Sequence, residues 1–159
     1  MTSRYVFHPP GGGTSHEWEN DHIFVKVGAV DTGHAYTLVE DNLKATFSLG
    51  LHLHRHHAET FYILEGNLEF FIDGDWMTAT PGTCIHIPPG VPHACKVSDG
   101  SRSAKMLMIF QPSGFDQFLA ELAKLGPEDF SNEDTLASLQ EKYDIVQLGS
   151  LPDRIEREA

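Results

Sequence analysis

Positive charge is scarce in this chain: 11 Lys and Arg stand against 23 Asp and Glu, for a formal net charge of −12. A nucleic-acid groove or an anionic membrane surface needs clustered positive charge, so neither is expected as a partner. Long apolar runs are missing too. The longest, Met106–Phe110, falls far short of the roughly 20 residues a membrane-spanning helix needs. Only two cysteines occur, Cys84 and Cys95, too few for a disulfide framework. The first residues, Met1–Pro10, carry one Arg and no apolar stretch of secretory length. These shortages together lead us to expect a soluble, cytoplasmic protein.

What is present is enough for one domain spanning residues 1–159, with 40% hydrophobic residues to close a core without staples. Short segments of strand character follow a Pro/Gly-rich opening at Pro9–Gly13. They are Ile23–Val27, Tyr36–Val39, Ala45–His54, Thr60–Leu64, Leu68–Ile72, Trp76–Ala79, Thr83–Ile87, His93–Val97 and Lys105–Phe110. Turn signals separate them, and Asp73-Gly74 suits a two-residue hairpin. Strands at this spacing, with no helix between them, predict an all-β sandwich or barrel over about residues 35–112. The period changes at Ser113, which with Asp116 reads as a capping-box-like start. Phe115, Phe118, Leu119, Leu122 and Leu125 then recur at helical spacing, and Gly126-Pro127 ends that helix. A second helix runs from about Asn132 to Tyr143. The two C-terminal α-helices of this 113–159 extension are expected to cover an open face or edge of the barrel.

Histidine is the over-represented residue, and six of its 10 copies fall between His52 and His93. In His52-Leu53-His54-Arg55-His56-His57-Ala58-Glu59, side chains two apart in a strand share a face, which aligns His52 with His54. A turn at Arg55–Ala58 would make a hairpin pairing His54 with Glu59 and His52 with Phe61. Two imidazoles and a carboxylate then converge, a ligand set suited to a first-row metal. The second segment, Gly82-Thr83-Cys84-Ile85-His86-Ile87-Pro88-Pro89-Gly90-Val91-Pro92-His93, reads as two strands about a Pro/Gly turn. Centred near Gly90, that turn puts His93 and Cys95 on one face with Ile85 and Ile87. Cys84 and His86 then face the other way, so the two cysteines are not bonded to each other.

These residues resemble a known family. His52-x-His54-(four residues)-Glu59-(six residues)-Gly66 is similar to the first motif of the cupin superfamily. Gly82-(five residues)-Pro88-x-Gly90-(two residues)-His93 is similar to the second. The match covers about Phe47 to Val97. Thr46 stands where the first motif usually has its leading glycine, and Val97 replaces the terminal asparagine of the second; neither is a ligand position. The resemblance implies a jelly-roll β-barrel of two antiparallel sheets, with a metal site built from His52, His54, Glu59 and His93. It also suggests a homodimer. Asp31-Thr32-Gly33, Glu59–Gly66, Gly114-Phe115 and Tyr143–Gly149 further resemble the single-domain, quercetin 2,3-dioxygenase-like cupins.

Each signal has a plainer reading. A lone His-x-His is common on exposed strands; joined to Glu59, Gly66 and His93 it becomes specific. His56 and His57 read as solvated turn residues, and His86 as a core or rim histidine. Phe61, Phe47 and Cys95 are the candidates for a substrate pocket, although a buried thiol more often packs than reacts. Phe115 and Phe118 read as core contacts, and the acidic end Asp153–Glu158 as solvated.

Three imidazoles and one carboxylate leave two of six octahedral positions for chemistry, with Glu59 able to ligate or to take a proton. The expected cofactor is one divalent transition metal ion: Fe, Mn, Ni, Co, Cu or Zn. The first functional reading is a dioxygenase that joins O2 to an enolisable aromatic, flavonol-like small molecule. Oxygen-independent isomerase, cyclase or decarboxylase chemistry on the same metal is the alternative. A stand-alone small-molecule-binding role is the third reading.

Overall fold

The computed structural model describes residues 4–154 of the chain. Its first strands are β1 (Thr14–Glu17), β2 (Asp21–Val27), β3 (Thr37–Lys44), β4 (Ser48–Leu53) and β5 (Ala58–Glu65). There follow β6 (Leu68–Ile72), β7 (Asp75–Ala79), β8 (Cys84–Ile87), β9 (His93–Val97) and β10 (Ser103–Gln111). Helices α1 (Phe115–Leu122), α2 (Pro127–Phe130) and α3 (Glu133–Lys142) precede a last strand, β11 (Val146–Gly149). A six-stranded sheet has the order β1-β2-β3-β10-β5-β8, and a five-stranded sheet the order β11-β4-β9-β6-β7. All pairings are antiparallel. The two sheets face each other as a jelly roll, as expected.

Alternation builds the interior. Val39 and Leu43 on β3, Phe61 and Ile63 on β5, and Met106, Met108 and Phe110 on β10 all turn inward and are buried. From the other sheet come Leu68, Phe70, Cys95 and Val97. The β6–β7 hairpin closes through Asp73-Gly74, both residues at positive φ, as its turn chemistry dictates.

Four expectations need correction. Residues 40–44 do not break the chain: β3 runs on through Glu40, Asp41 and Asn42, because Glu40 and Asn42 alternate with the inward-facing Val39, Asp41 and Leu43. The predicted His54/Glu59 hairpin does not form, since β4 and β5 lie in different sheets; the Arg55–His57 connection crosses between the layers. The same holds for β8 and β9, joined by the Pro88–Pro92 crossover. The facing of those side chains is nonetheless as expected: His93 and Cys95 are buried, Cys84 is exposed, and both cysteines are free.

The fourth correction concerns the helices. Gly114, at φ 136°, is the N-cap of α1, and no side chain caps it. Asp116 is spent elsewhere: its carboxylate accepts from the Ala29 N–H at 3.0 Å and the Thr37 hydroxyl at 2.9 Å. Beyond the expected stop at Gly126-Pro127 the chain makes one more turn, α2, before Asn132 caps α3 with its side chain. Phe118, Leu119 and Leu139 then bury against the barrel. Of the acidic end read as solvated, the part beyond Arg154 lies outside the described residues.

Gly66 shows how tightly the first motif is held. It sits at φ 71°, and an added Cβ would collide with the Ser103 carbonyl oxygen. Gly66→Ala should therefore lower the unfolding free energy by about 2 kcal/mol or more, read as a shifted urea midpoint.

Candidate metal centre

The four motif residues meet across the jelly roll. His52 ends the inward pattern of β4 and lies directly opposite His93 of β9 in the same sheet. His54 follows β4 in the crossover, and Glu59 comes from β5 of the facing sheet. One ligand atom from each of the four lies within 4.8 Å of the others, and all four residues are buried. His54 Nε2 is 3.0 Å, and His93 Nε2 2.7 Å, from the same Glu59 oxygen, Oε2.

The imidazole orientations are fixed from behind. His52 Nδ1 bonds the Gly50 carbonyl at 2.9 Å, His54 Nδ1 the Asp144 carbonyl at 2.9 Å, and His93 Nδ1 the Val91 carbonyl at 3.0 Å. A carbonyl oxygen only accepts, so each Nδ1 carries the hydrogen. In the neutral ring that leaves a lone pair at Nε2, facing the cluster. A lone pair does not approach a carboxylate oxygen at 2.7–3.0 Å. Positive charge must lie between them, as ring protons or as a cation. The donor set, three nitrogens and a carboxylate, fits a divalent first-row metal.

The electrostatics agree with the geometry. Burial alone would push Glu59 up, but hydrogen bonds from His54 and His93 outweigh it and hold the carboxyl at about 2. Burial likewise works to lower His54; its bond to Glu59 prevails and raises it. His52 lacks such a bond and is lowered to about 4, by burial first and by His93 second. Burial pushes the Cys95 thiol up, and the Glu59 and Asp41 carboxyls add to the shift, so it is no thiolate.

The cluster opens into a cavity of about 670 Å³. Phe47, Phe61 and Cys95, the sequence-based pocket candidates, all line it, and so do Phe115 and Phe118 of α1. Phe110 stacks on Phe115 with ring centroids 3.8 Å apart, joining the barrel to its helical cover. His86 is exposed and bonds Thr60, so it stands apart from the cluster.

Two residues escaped the sequence reading. Asp41 lines the cavity from β3. Asp144, just after α3, clamps the crossover: its carboxylate accepts from the N–H groups of Arg55, His56 and His57 and from His57 Nδ1, at 2.8–3.1 Å. His57 is thus a tied residue and not the solvated turn residue expected. No local signal links Asp144 to a loop some ninety residues earlier; its left-handed φ of 62° was the one unusual demand it makes.

The model for the cupin domain matches residues 40–110. This stretch, a little under half of the chain, is thus similar to a cupin domain. The chain is 34% identical over 71 residues to quercetin 2,3-dioxygenase of Bacillus subtilis, covering 45% of this chain and 20% of that one. The chain thus spans about a fifth of that relative's length. Among solved structures it is similar to KdgF of a Halomonas species, at 14% identity and TM-score 0.61, over 71% of this chain and 99% of that one. It is also similar to the polyketide cyclase RemF of Streptomyces resistomycificus, at 22% identity and TM-score 0.53, over 60% and 67%. At these identities the two structures speak for the fold alone. No helix among the described residues is long and apolar enough to cross a membrane.

Asp144 provides a test of the clamp. Burial works to raise its carboxyl, but bonds from His57 and from the His56 and Arg55 N–H groups hold it below the usual range. A depressed carboxyl stabilises the fold above its unfolded value, near 4, and that gain drains away as pH falls through the lower folded value. Asp144→Ala should cost about 2 kcal/mol at pH 7. Paired urea titrations should show the gap to wild type closing below about pH 4.

Proposed function

We propose that this cupin is a metal-dependent dioxygenase of the quercetin 2,3-dioxygenase type, acting on an enolisable aromatic, flavonol-like small molecule. The observation that carries the reading is the three imidazoles, each held by a carbonyl at Nδ1 and converging with one buried carboxylate on an apolar-walled cavity. The partial likeness to quercetin 2,3-dioxygenase supports the substrate class.

In this reading His52, His54, His93 and Glu59 are the ligands of one divalent transition metal. The metal supplies Lewis-acid polarisation of a substrate oxygen and, if redox-active, a route for electrons to O2. The remaining roles belong to the chain. Glu59 is the catalytic base, taking the enol proton on a carboxylate oxygen. Its basicity is suppressed while His54 and His93 donate to it; neutral imidazoles that give their Nε2 lone pairs to a cation no longer do so. Glu59 would ligate the cation or swing out to take the proton; once out, burial, which raises a carboxylate, would bring it toward a useful proton affinity. Phe61, Phe47 and Cys95 form the substrate wall and exclude water around the ring system.

The same ligands serve an oxygen-independent isomerase, cyclase or decarboxylase equally well, and the fold likeness to a polyketide cyclase favours keeping that second reading. The exposed free thiol of Cys84 suits a reducing, cytoplasmic setting. The cupin resemblance favours a homodimer, which light scattering checks.

Plasma mass spectrometry should find about one transition metal per chain, lost in His54→Ala. Oxygen uptake with quercetin should fall at least about 100-fold in Glu59→Gln with metal retained. Unchanged uptake in that variant would sink the base role, and turnover that persists under nitrogen would move the assignment to the oxygen-independent class.

A further inference from the structure

Asp41 is a buried carboxyl that the protein itself leaves unanswered. It sits mid-strand on β3, turned inward between Val39 and Leu43, with 2% of its surface exposed. Its Oδ1 has no hydrogen-bond partner, and among the described residues no ion pair reaches its carboxyl. Its neighbour across β2 is Ile23 and across β10 Met106, both apolar. The charged group that influences it is Asp21, of the same sign. Among the described residues no Lys or Arg lines the cavity.

An isolated buried carboxylate costs several kcal/mol, so the group escapes by keeping its proton. Burial, and then Asp21, push it up to about 8. At neutral pH Asp41 is therefore a carboxylic acid with one O–H to give and one carbonyl-type oxygen to receive. Asp41 lines a cavity whose walls are otherwise mostly aromatic and aliphatic.

The register places this acid relative to the cluster. Phe110 pairs with Glu59 and Met106 with Asp41, so the two acids lie four residues apart along β10 and on opposite sides of it. At about 3.3 Å per residue and 4.8 Å per strand, their Cα atoms are roughly 16 Å apart. The two side chains reach into the same cavity from its two ends. A flavonol, with the enol of its central ring at Glu59, can turn its pendant ring along the cavity toward Asp41.

We propose that Asp41 is a specificity residue, exchanging a pair of hydrogen bonds with a hydroxyl on the pendant ring of the substrate, the one not fused to the enol-bearing ring. This rests on the dioxygenase reading for the orientation of the ligand. It adds that the preferred substrates are flavonol-like molecules hydroxylated at that pendant ring, and that the apolar cavity ranks them by this group. Reciprocal bonding to a hydroxyl satisfies both oxygens of the acid, which a bare aromatic ring cannot do.

The test uses metal-loaded protein and two flavonols: quercetin, with two hydroxyls on the pendant ring, and galangin, with none there. Binding is read from the fluorescence of the protein. Wild type should bind quercetin about tenfold more tightly than galangin. Asp41→Leu, near in volume and without polar atoms, should erase that preference by weakening quercetin alone. Asp41→Asn, which keeps a donor and an acceptor, should restore it to within about threefold. Metal content should be equal in all three, and Asp41→Leu should unfold at the same or higher urea concentration, since it removes an unanswered buried group. A merely structural aspartate would instead lose stability and keep the preference.

Equal affinities for the two flavonols in wild type, or a preference that survives Asp41→Leu, overturn the assignment of Asp41. Tight, Asp41-dependent quercetin binding without oxygen uptake supports the assignment and sinks the dioxygenase reading alone. Binding of neither flavonol overturns both.

Discussion

A buried carboxylate needs positive charge close by, and Glu59 obtains it from the opposite sheet. With 4% of its surface exposed, it depends on His54 and His93 reaching it across the jelly roll. Those rings reach it only because Nδ1 of each is pinned to a backbone carbonyl. The carbonyls come in turn from the Pro88–Pro92 crossover and from the segment after α3. The fold therefore supports the cluster through its irregular parts, and the regular strands serve to bring those parts together.

The rest of the interior is arranged around this demand. The end of the cavity holding the cluster is polar and hydrogen-bonded, whereas its middle is walled by Phe61, Met108 and Phe110. Helix α1 adds Phe115 and Phe118, so water is kept from the imidazoles by a cover that the barrel alone lacks. At the far end a buried acid, Asp41, breaks the apolar lining, which Glu19 and Asp21 also join. Such a group opposes stability, and proteins retain groups of this kind mainly where a ligand completes them.

The ligand cluster was legible in the sequence because spacing within two short segments fixes it: His52-x-His54, Glu59 and His93 sit beside the turns that present them. The strand pairing was not. Arg55–His57 and Pro88–Pro92 carry the residues of hairpin turns, and nothing within them says that the flanking strands enter different sheets. That choice belongs to β10, which arrives some forty residues after Glu59 and takes the position beside β5. Asp41 was hidden by its neighbours, because Asp-Asn reads as a turn until Val39 and Leu43 are seen to continue the alternation. Asp144 was hidden by distance.

The lacing of the C-terminal segment has a consequence for how the chain acquires its site. Asp144 grips the loop after His54 through side chain and carbonyl alike, and β11 pairs Gln147 with His52. Every ligand-bearing residue has been synthesised by His93, yet two of the three histidines gain their supports from residues 144–149. During translation the barrel strands emerge first, and the cluster stays loose until residues 144–149 have left the ribosome. Alignment of the histidines is thereby tied to the emergence of this strip, and a nascent chain still missing it holds them without their final supports.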